Sequence, residues 1–300
     1  MKNLILTSAI VCVSFFIGAQ QDAMYTHYAF NTLAVNPAYA GSREALTMTV
    51  LHRSQWVGIE GAPTTQTLTM HTPLREDMGV GFSLMNDRIG PTNNTSLYVD
   101  YAYKIPVLNG KLSMALKGGL DIMQANLSSL SPSDAGDNSI NNNGRNGIMP
   151  NFGLGTYYST DRFYVGISSP RLIHNKTNIQ NTDINGASQK RSFYIIGGTM
   201  LKINENLSFK PMSLIKMTGG APIQADITGM VVIDSKFELG AMYRTRDAAG
   251  ILCGINFESH LRVGYSFDWS FGVNSSSHEL VLRYDFIQNV RKKIVSPRYF

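Results

Sequence analysis

A chain of 300 residues in which 43% are hydrophobic but only 16% are charged is short of charge for a soluble domain, where about a quarter is usual. A mean hydropathy of −0.08, with no mature stretch reaching the roughly 18 apolar residues of a spanning helix, argues against a helical membrane protein. The net charge of +5 comes without a dense Lys/Arg patch, which argues against nucleic-acid binding. A chain poor in charge yet not hydrophobic on average suits strands with one face in lipid and the other in water.

The N-terminus reads as an export signal: Lys2, an apolar run from Leu4 to Phe16, then Ile17-Gly18-Ala19 as a cleavage site. Cys12 follows Val11, where a lipoprotein signal wants a small residue, so lipidation is not expected. Cleavage after Ala19 removes one positive charge, for a net +4, and leaves Cys253 as the one cysteine, which rules out an intramolecular disulfide.

Residues 20–45 form a separate N-terminal segment. Met24, Tyr25, Tyr28, Phe30 and Leu33 can share a short apolar face. The sequence "NPAYAGS" (Asn36–Ser42) then turns the chain. Pro37 disfavours helix at Asn36, and Gly41 gives backbone freedom. Two placements are open: a small plug in a barrel mouth, or a strap under the rim.

From Leu46 onward period-2 alternation dominates. In "LRVGYSFDW", Leu261, Val263, Tyr265, Phe267 and Trp269 share one face against Arg262, Gly264, Ser266 and Asp268. In "HELVLRYDF", Leu280, Leu282, Tyr284 and Phe286 oppose Glu279, Val281, Arg283 and Asp285. About fourteen such segments follow, centred near Val50, Leu68, Phe82, Val99, Leu116, Leu154, Val165, Ile196, Leu214, Ile227, Leu239, Ile255, Tyr265 and Leu282. An even count suits a single-chain outer-membrane barrel. The expected fold is an all-β transmembrane antiparallel barrel over residues 46–287, with a signal peptide at 1–19 and a C-terminal periplasmic tail at 288–300.

Connections alternate between short ones such as "PLRED" and "VLNG" and longer ones such as "VGIEGAPT", "RIGPTNN" and "TRDAAG". The two longest span about Ser128–Pro150 and Ser169–Gln189. By the barrel rule, short turns are periplasmic and long loops external, so both termini fall on the periplasmic side. Cys253, in "ILCGINF", falls on the lipid face. The basic run Arg291-Lys292-Lys293 reads as a solvated tail.

No catalytic constellation stands out. None of His27, His52, His71, His174, His260 and His278 lies in a hydrolase or zincin context. The loop carrying Asp134, Asp137 and Asn138 lacks calcium-loop spacing and a closing Glu. No cofactor and no metal are expected. The polar strand faces nominate Asp100, Lys117, Asp121, Glu238, Arg244, Glu258, Arg262, Asp268, Glu279, Arg283 and Asp285 as lumen or interaction residues. Their mixed signs suggest internal ion pairs rather than a selective pore.

The order "NPAYAGS", "RSQWVGIEGAPTTQTLTMHTPL", "KPMSLIKMTGGAPIQADITG", "LGAMYRTRDAAGILCGINFESHLRVGYSFDWS" and terminal "SPRYF" resembles the PorP/SprF family, outer-membrane proteins of the type IX secretion system of Bacteroidota. The resemblance covers nearly the whole mature chain. It implies a non-enzymatic barrel in outer-membrane lipid whose partners are secreted or surface-anchored proteins, in some members gliding adhesins, and other secretion components. The alternative is a porin or FadL-like channel for small or hydrophobic solutes; a barrel enzyme is the third reading.

Overall fold

The computed structural model describes residues 25–126, 145–176, 188–257 and 260–286. The expected export signal with Cys12, Met24, the Asp134–Asn138 loop, Glu258 and the basic run Arg291-Lys292-Lys293 lie outside the described residues. No described helix is long and apolar enough to cross a membrane; the crossing is done by strands.

There are fourteen wall strands: β1 (Leu46–Ser54), β2 (Thr64–Arg75), β3 (Met78–Ile89), β4 (Thr92–Val107), β5 (Gly110–Ala125), β6 (Arg145–Ser159), β7 (Phe163–Ser169), β8 (Ser192–Thr199), β9 (Leu207–Thr218), β10 (Gln224–Ile233), β11 (Phe237–Arg244), β12 (Ala248–Asn256), β13 (Leu261–Ser270) and β14 (Ser275–Phe286). Each pairs antiparallel with its sequence neighbours, and β1 pairs with β14 from Leu46↔Phe286 to Ser54↔His278. The sheet is therefore a closed ring with no free edge. Each of the fourteen centres read from the sequence falls in one of these strands. Two short pieces supplement the ring: Leu201–Lys202 pairs with Phe209 and Ser208, and Asn175–Lys176 pairs with Ser188–Gln189.

The physical reason for closure is the solvent. Hydrocarbon offers an amide no partner, so a sheet in lipid must pair every strand on both edges. The outer face is apolar to match: Val99, Leu116, Ile227, Leu239 and Ile251 are each 59–62% exposed, an apolar belt that water would not tolerate. Cys253 is on this exposed face, its thiol 3.6 Å from the Tyr265 carbonyl.

The loop lengths differ from the expected alternation at two places. Where "RIGPTNN" reads as a long loop, β3 runs to Ile89 and β4 begins at Thr92, leaving only Gly90-Pro91 between them. The polar side chains extend the ladder instead of ending it: Asn86 donates to Asn93 Oδ1 at 2.8 Å and to Thr95 Oγ1 at 3.0 Å. Gly90 takes the positive φ of +54° that the tight turn needs. Between β11 and β12 only Thr245–Asp247 lie outside strands. The two longest connections do fall at the same end of the barrel, between β5 and β6 and between β7 and β8.

The register predicts a specific failure. Leu282 faces lipid and is 40% exposed, whereas the next residue, Arg283, faces inward and is 7% exposed. Leu282→Arg should destabilise the folded barrel by about 2–4 kcal/mol, read from denaturant-induced unfolding in lipid vesicles, whereas Leu282→Ile should change little. Equal stability of the Arg variant would mean that Leu282 does not face lipid, because a one-residue slip exchanges the two faces.

Candidate functional site

The inward faces build a packed interior. Alternation along β8–β12 turns Ile196, Met212, Leu214, Met230, Met242 and Leu252 inward, all at most 5% exposed. Tyr28, Phe30, Leu33 and Val35 of the N-terminal segment are buried in one cluster with them. Burying each such side chain stabilises by about 1.5–3 kcal/mol. The rest of the inner wall is ionic, and strand register sets its pairs. Asp226 lies opposite Arg244, which grips it with Nε and Nη2 at 2.8–3.1 Å. Lys117 lies opposite Asp100, 3.5 Å away. Asp121 accepts from the Ser96 and Tyr98 hydroxyls and has Arg171 Nε 3.6 Å away.

The densest group joins the N-terminal segment to the wall. Arg53 sits opposite Glu279 in the ladder. Arg53 donates to Asp268 at 2.8 and 2.9 Å and to Glu279 at 3.3 Å. Glu279 also accepts the backbone N–H of Thr26 at 2.9 Å and of His27 at 2.6 Å, and lies 3.0 Å from His27 Nδ1. The Thr26 hydroxyl donates to Asp268 at 2.9 Å. Arg53, Asp268 and Glu279 are all at most 1% exposed. Two carboxylates against one guanidinium would be costly in so dry a place; the two amides and the threonine hydroxyl supply the remaining donors.

Below this cluster the segment makes further contacts around the ring. Tyr25 bonds Thr67 and donates to Met85 Sδ, and burial pushes the Tyr25 and Tyr28 phenols up, so both stay neutral. The Thr69 hydroxyl donates to Asn31 Oδ1 at 2.7 Å, and Ser168 donates to the Val35 carbonyl at 2.6 Å. A single helical turn, α1 (Thr32–Val35), precedes a 3₁₀ turn at Pro37–Tyr39. Asn36 caps that turn by accepting from Ala38 N–H at 2.9 Å, while its amide donates to the Thr156 carbonyl at 2.9 Å.

These contacts explain "NPAYAGS". Asn36 is both cap and wall anchor, and Ala38 and Ala40 are fully buried. Gly41 has φ +64°, and a Cβ there would lie 2.7 Å from the Cα of Gly79, beside the β2–β3 turn. The Lys104 ammonium bonds the Gly41 carbonyl. The segment thus runs from the level of Arg53, near the long-loop end, to the short-turn end before β1 starts. A cavity of about 60 Å³ remains beside it, lined by Tyr25, Val35, Tyr98, Lys117, Arg171 and Tyr194. That volume holds a few waters.

Of the residues nominated from the sequence, Tyr25, Tyr28, Phe30 and Leu33 are buried against the inner wall. Asp268 and Glu279 meet in the cluster around Arg53. Glu238 and Arg262 pair directly, with the Arg262 guanidinium 3.8 Å from the centre of the Phe30 ring. Asp285 bonds Arg43 at 2.6 Å and Thr47 at 2.8 Å. Arg283 is 4.0 Å from Asp285. Sequence reasoning missed Arg53, Asp226 and the polar residues Thr26, His27, Asn31 and Asn36. Parity was the available signal for the first two: Arg53 shares a face with Thr47 and Thr49, and Asp226 with Thr228.

A closed fourteen-strand ring with an apolar exterior and an ion-paired interior defines an outer-membrane β-barrel. The chain belongs to the family described as type IX secretion system membrane protein PorP/SprF, whose model matches residues 17–284. No protein of curated function matches it. Among solved structures it is similar to the Acinetobacter baumannii outer membrane protein Omp33, at 8% identity over 81% of this chain and 99% of that one, with a TM-score of 0.49. It is also similar to the KdgM porin, at 9% identity over 80% and 99%, with a TM-score of 0.40. The barrel assignment itself rests on the strand pairing.

The cluster yields a prediction. Glu279→Ala leaves the Thr26 and His27 amides without their acceptor and Arg53 with Asp268 alone, and breaking a buried ionic group in this way costs about 3–5 kcal/mol. The variant should lose its heat-resistant folded band on gel electrophoresis at a lower temperature than the parent, and residues 25–35 should become cleavable by added protease. An unchanged proteolysis pattern would show that the cluster does not hold the segment.

Proposed function

We propose that this barrel serves type IX secretion as a closed, non-enzymatic docking component. It engages secreted or surface-anchored proteins, or the translocon, at its rim while its own N-terminal segment plugs the lumen. The observation that carries this reading is the grip of Glu279, Asp268 and Arg53 on Thr26 and His27, joined to the apolar packing of Tyr28, Phe30 and Leu33. A lumen filled to this degree suits docking better than bulk solute flow. The rim bearing the two longest connections offers the surface, because loops set on a rigid scaffold are where binding residues concentrate. In this reading the export signal is cleaved after Ala19, that rim faces outward and the short turns face the periplasm.

A second reading has one observation in its favour. The plug is a terminal segment joined to the wall by hydrogen bonds, so it resembles a hatch, and the barrel would then be a channel for small or hydrophobic solutes. Deleting Gln21–Leu33 separates the two, because every wall strand lies downstream. The full chain should show little conductance in planar bilayers, and the deletion should fold, conduct and fail to deliver a subset of surface proteins. Normal delivery by a freely conducting deletion would favour the channel.

A further inference from the structure

The ionic interior is not balanced at its short-turn end. Arg262 is the second residue of β13 and lies directly opposite Arg283 of β14. Like charges facing each other across a ladder destabilise it, and here both are more than nine-tenths buried. Lys210 of β9 approaches from another part of the wall, close enough that Arg262, Arg283 and Arg43 all act on it electrostatically. Arg43 also acts on Arg283. Among the described residues, the carboxylates set against these four cations are Glu238, which pairs with Arg262 and also acts on Lys210, and Asp285, which bonds Arg43 and Thr47 and lies 4.0 Å from Arg283 Nε.

Four cations thus meet two carboxylates. The Nε atoms of Arg262 and Arg283 are buried with no hydrogen-bond partner among the described residues. An unmatched buried charge is among the most expensive features a protein interior can carry. Two other buried arginines are better matched: Arg244 by Asp226, and Arg53 by two carboxylates, Asp268 and Glu279. Solvent reaches this group of cations, since the Arg43 side chain is 35% exposed.

We propose that Arg43, Lys210, Arg262 and Arg283 form an oxyanion site at the short-turn mouth of the lumen, beneath Phe30. The ligand is a phosphate or carboxylate group. Planar guanidinium groups match the paired oxygens of either, and the lysine adds a point charge. Phe30 stacks on Arg262 from the lumen side, so the anion enters from the short-turn side, and an anionic group on a small molecule or a chain end reaches it without displacing the N-terminal segment.

The test uses the full-length folded barrel in neutral detergent. Inorganic phosphate and acetate are each titrated against chloride at matched ionic strength, with thermal unfolding and phosphorus-31 line broadening as readouts. At least one oxyanion should raise the melting temperature saturably above chloride, and which one does so separates the phosphate source from the carboxylate source. Arg283→Gln and Lys210→Met remove one excess charge each. Each should melt no lower than the parent in chloride and should bind the stabilising anion about tenfold more weakly, the loss of one charged hydrogen bond. Arg75→Gln, at an exposed residue of the short-turn rim whose ion-pair partner is Asp77 and not one of the two carboxylates of the site, should bind as the parent does. Three results would overturn the site: no oxyanion effect beyond chloride, an effect of equal size in the Arg283 and Lys210 variants, or both variants melting well below the parent in chloride.

Discussion

In hydrocarbon an amide without a partner costs several kcal/mol, and this one constraint organises the molecule. It requires β1 to return to β14 and β8 to bridge β7 and β9, so that the ladder has no edge. Once the ring is closed, alternation follows: each residue on a strand is committed to lipid or to lumen. The apolar belt and the ionic interior are two readings of the same period of two.

Closure creates the second problem, the filling of a lumen fourteen strands around. A porin fills it with water. Here one side of the inner wall is apolar, with Met212, Leu214, Met230, Met242 and Leu252 turned inward, and water against such a surface is unfavourable. The N-terminal segment answers both characters of the wall. Tyr28, Phe30 and Leu33 cover the apolar side, and the amides of Thr26 and His27 meet the carboxylates on the ionic side. Small residues let it lie close: Gly41 against Gly79, and Asn36 against Gly155 and Gly166. The interior therefore resembles the core of a soluble protein enclosed by a membrane wall, and the proposal of docking at a rim rests on this.

Much of this was legible in the sequence because a strand's period is short and its meaning unambiguous. Leu261 to Trp269 read as one face with no knowledge of neighbours, and so did the inward Glu279 and Arg283. Loop length was less legible. Gly90-Pro91 looks like the centre of a long loop, but Asn86, Asn93 and Thr95 hydrogen-bond across it and carry the ladder on, a cross-strand effect that no local pattern displays. The N-terminal segment was legible as apolar and bent, while its polar residues were not. Thr26, Asn31 and Asn36 find partners 38–253 residues away in the chain, and such pairing exists only after closure. Met212, Met230 and Met242 were hidden for a different reason: an apolar residue on the polar face of a strand looks like noise until something apolar packs on it.

The barrel holds its own N-terminal segment against the inner wall through Glu279. Hydrogen exchange at the Thr26 and His27 amides in the folded, detergent-solubilised barrel addresses this most directly. Both amides are donated to a fully buried carboxylate, so they should exchange as slowly as the ladder amides of β1. Exchange at the rate of an unstructured peptide, with the β1 ladder still protected, would contradict the account.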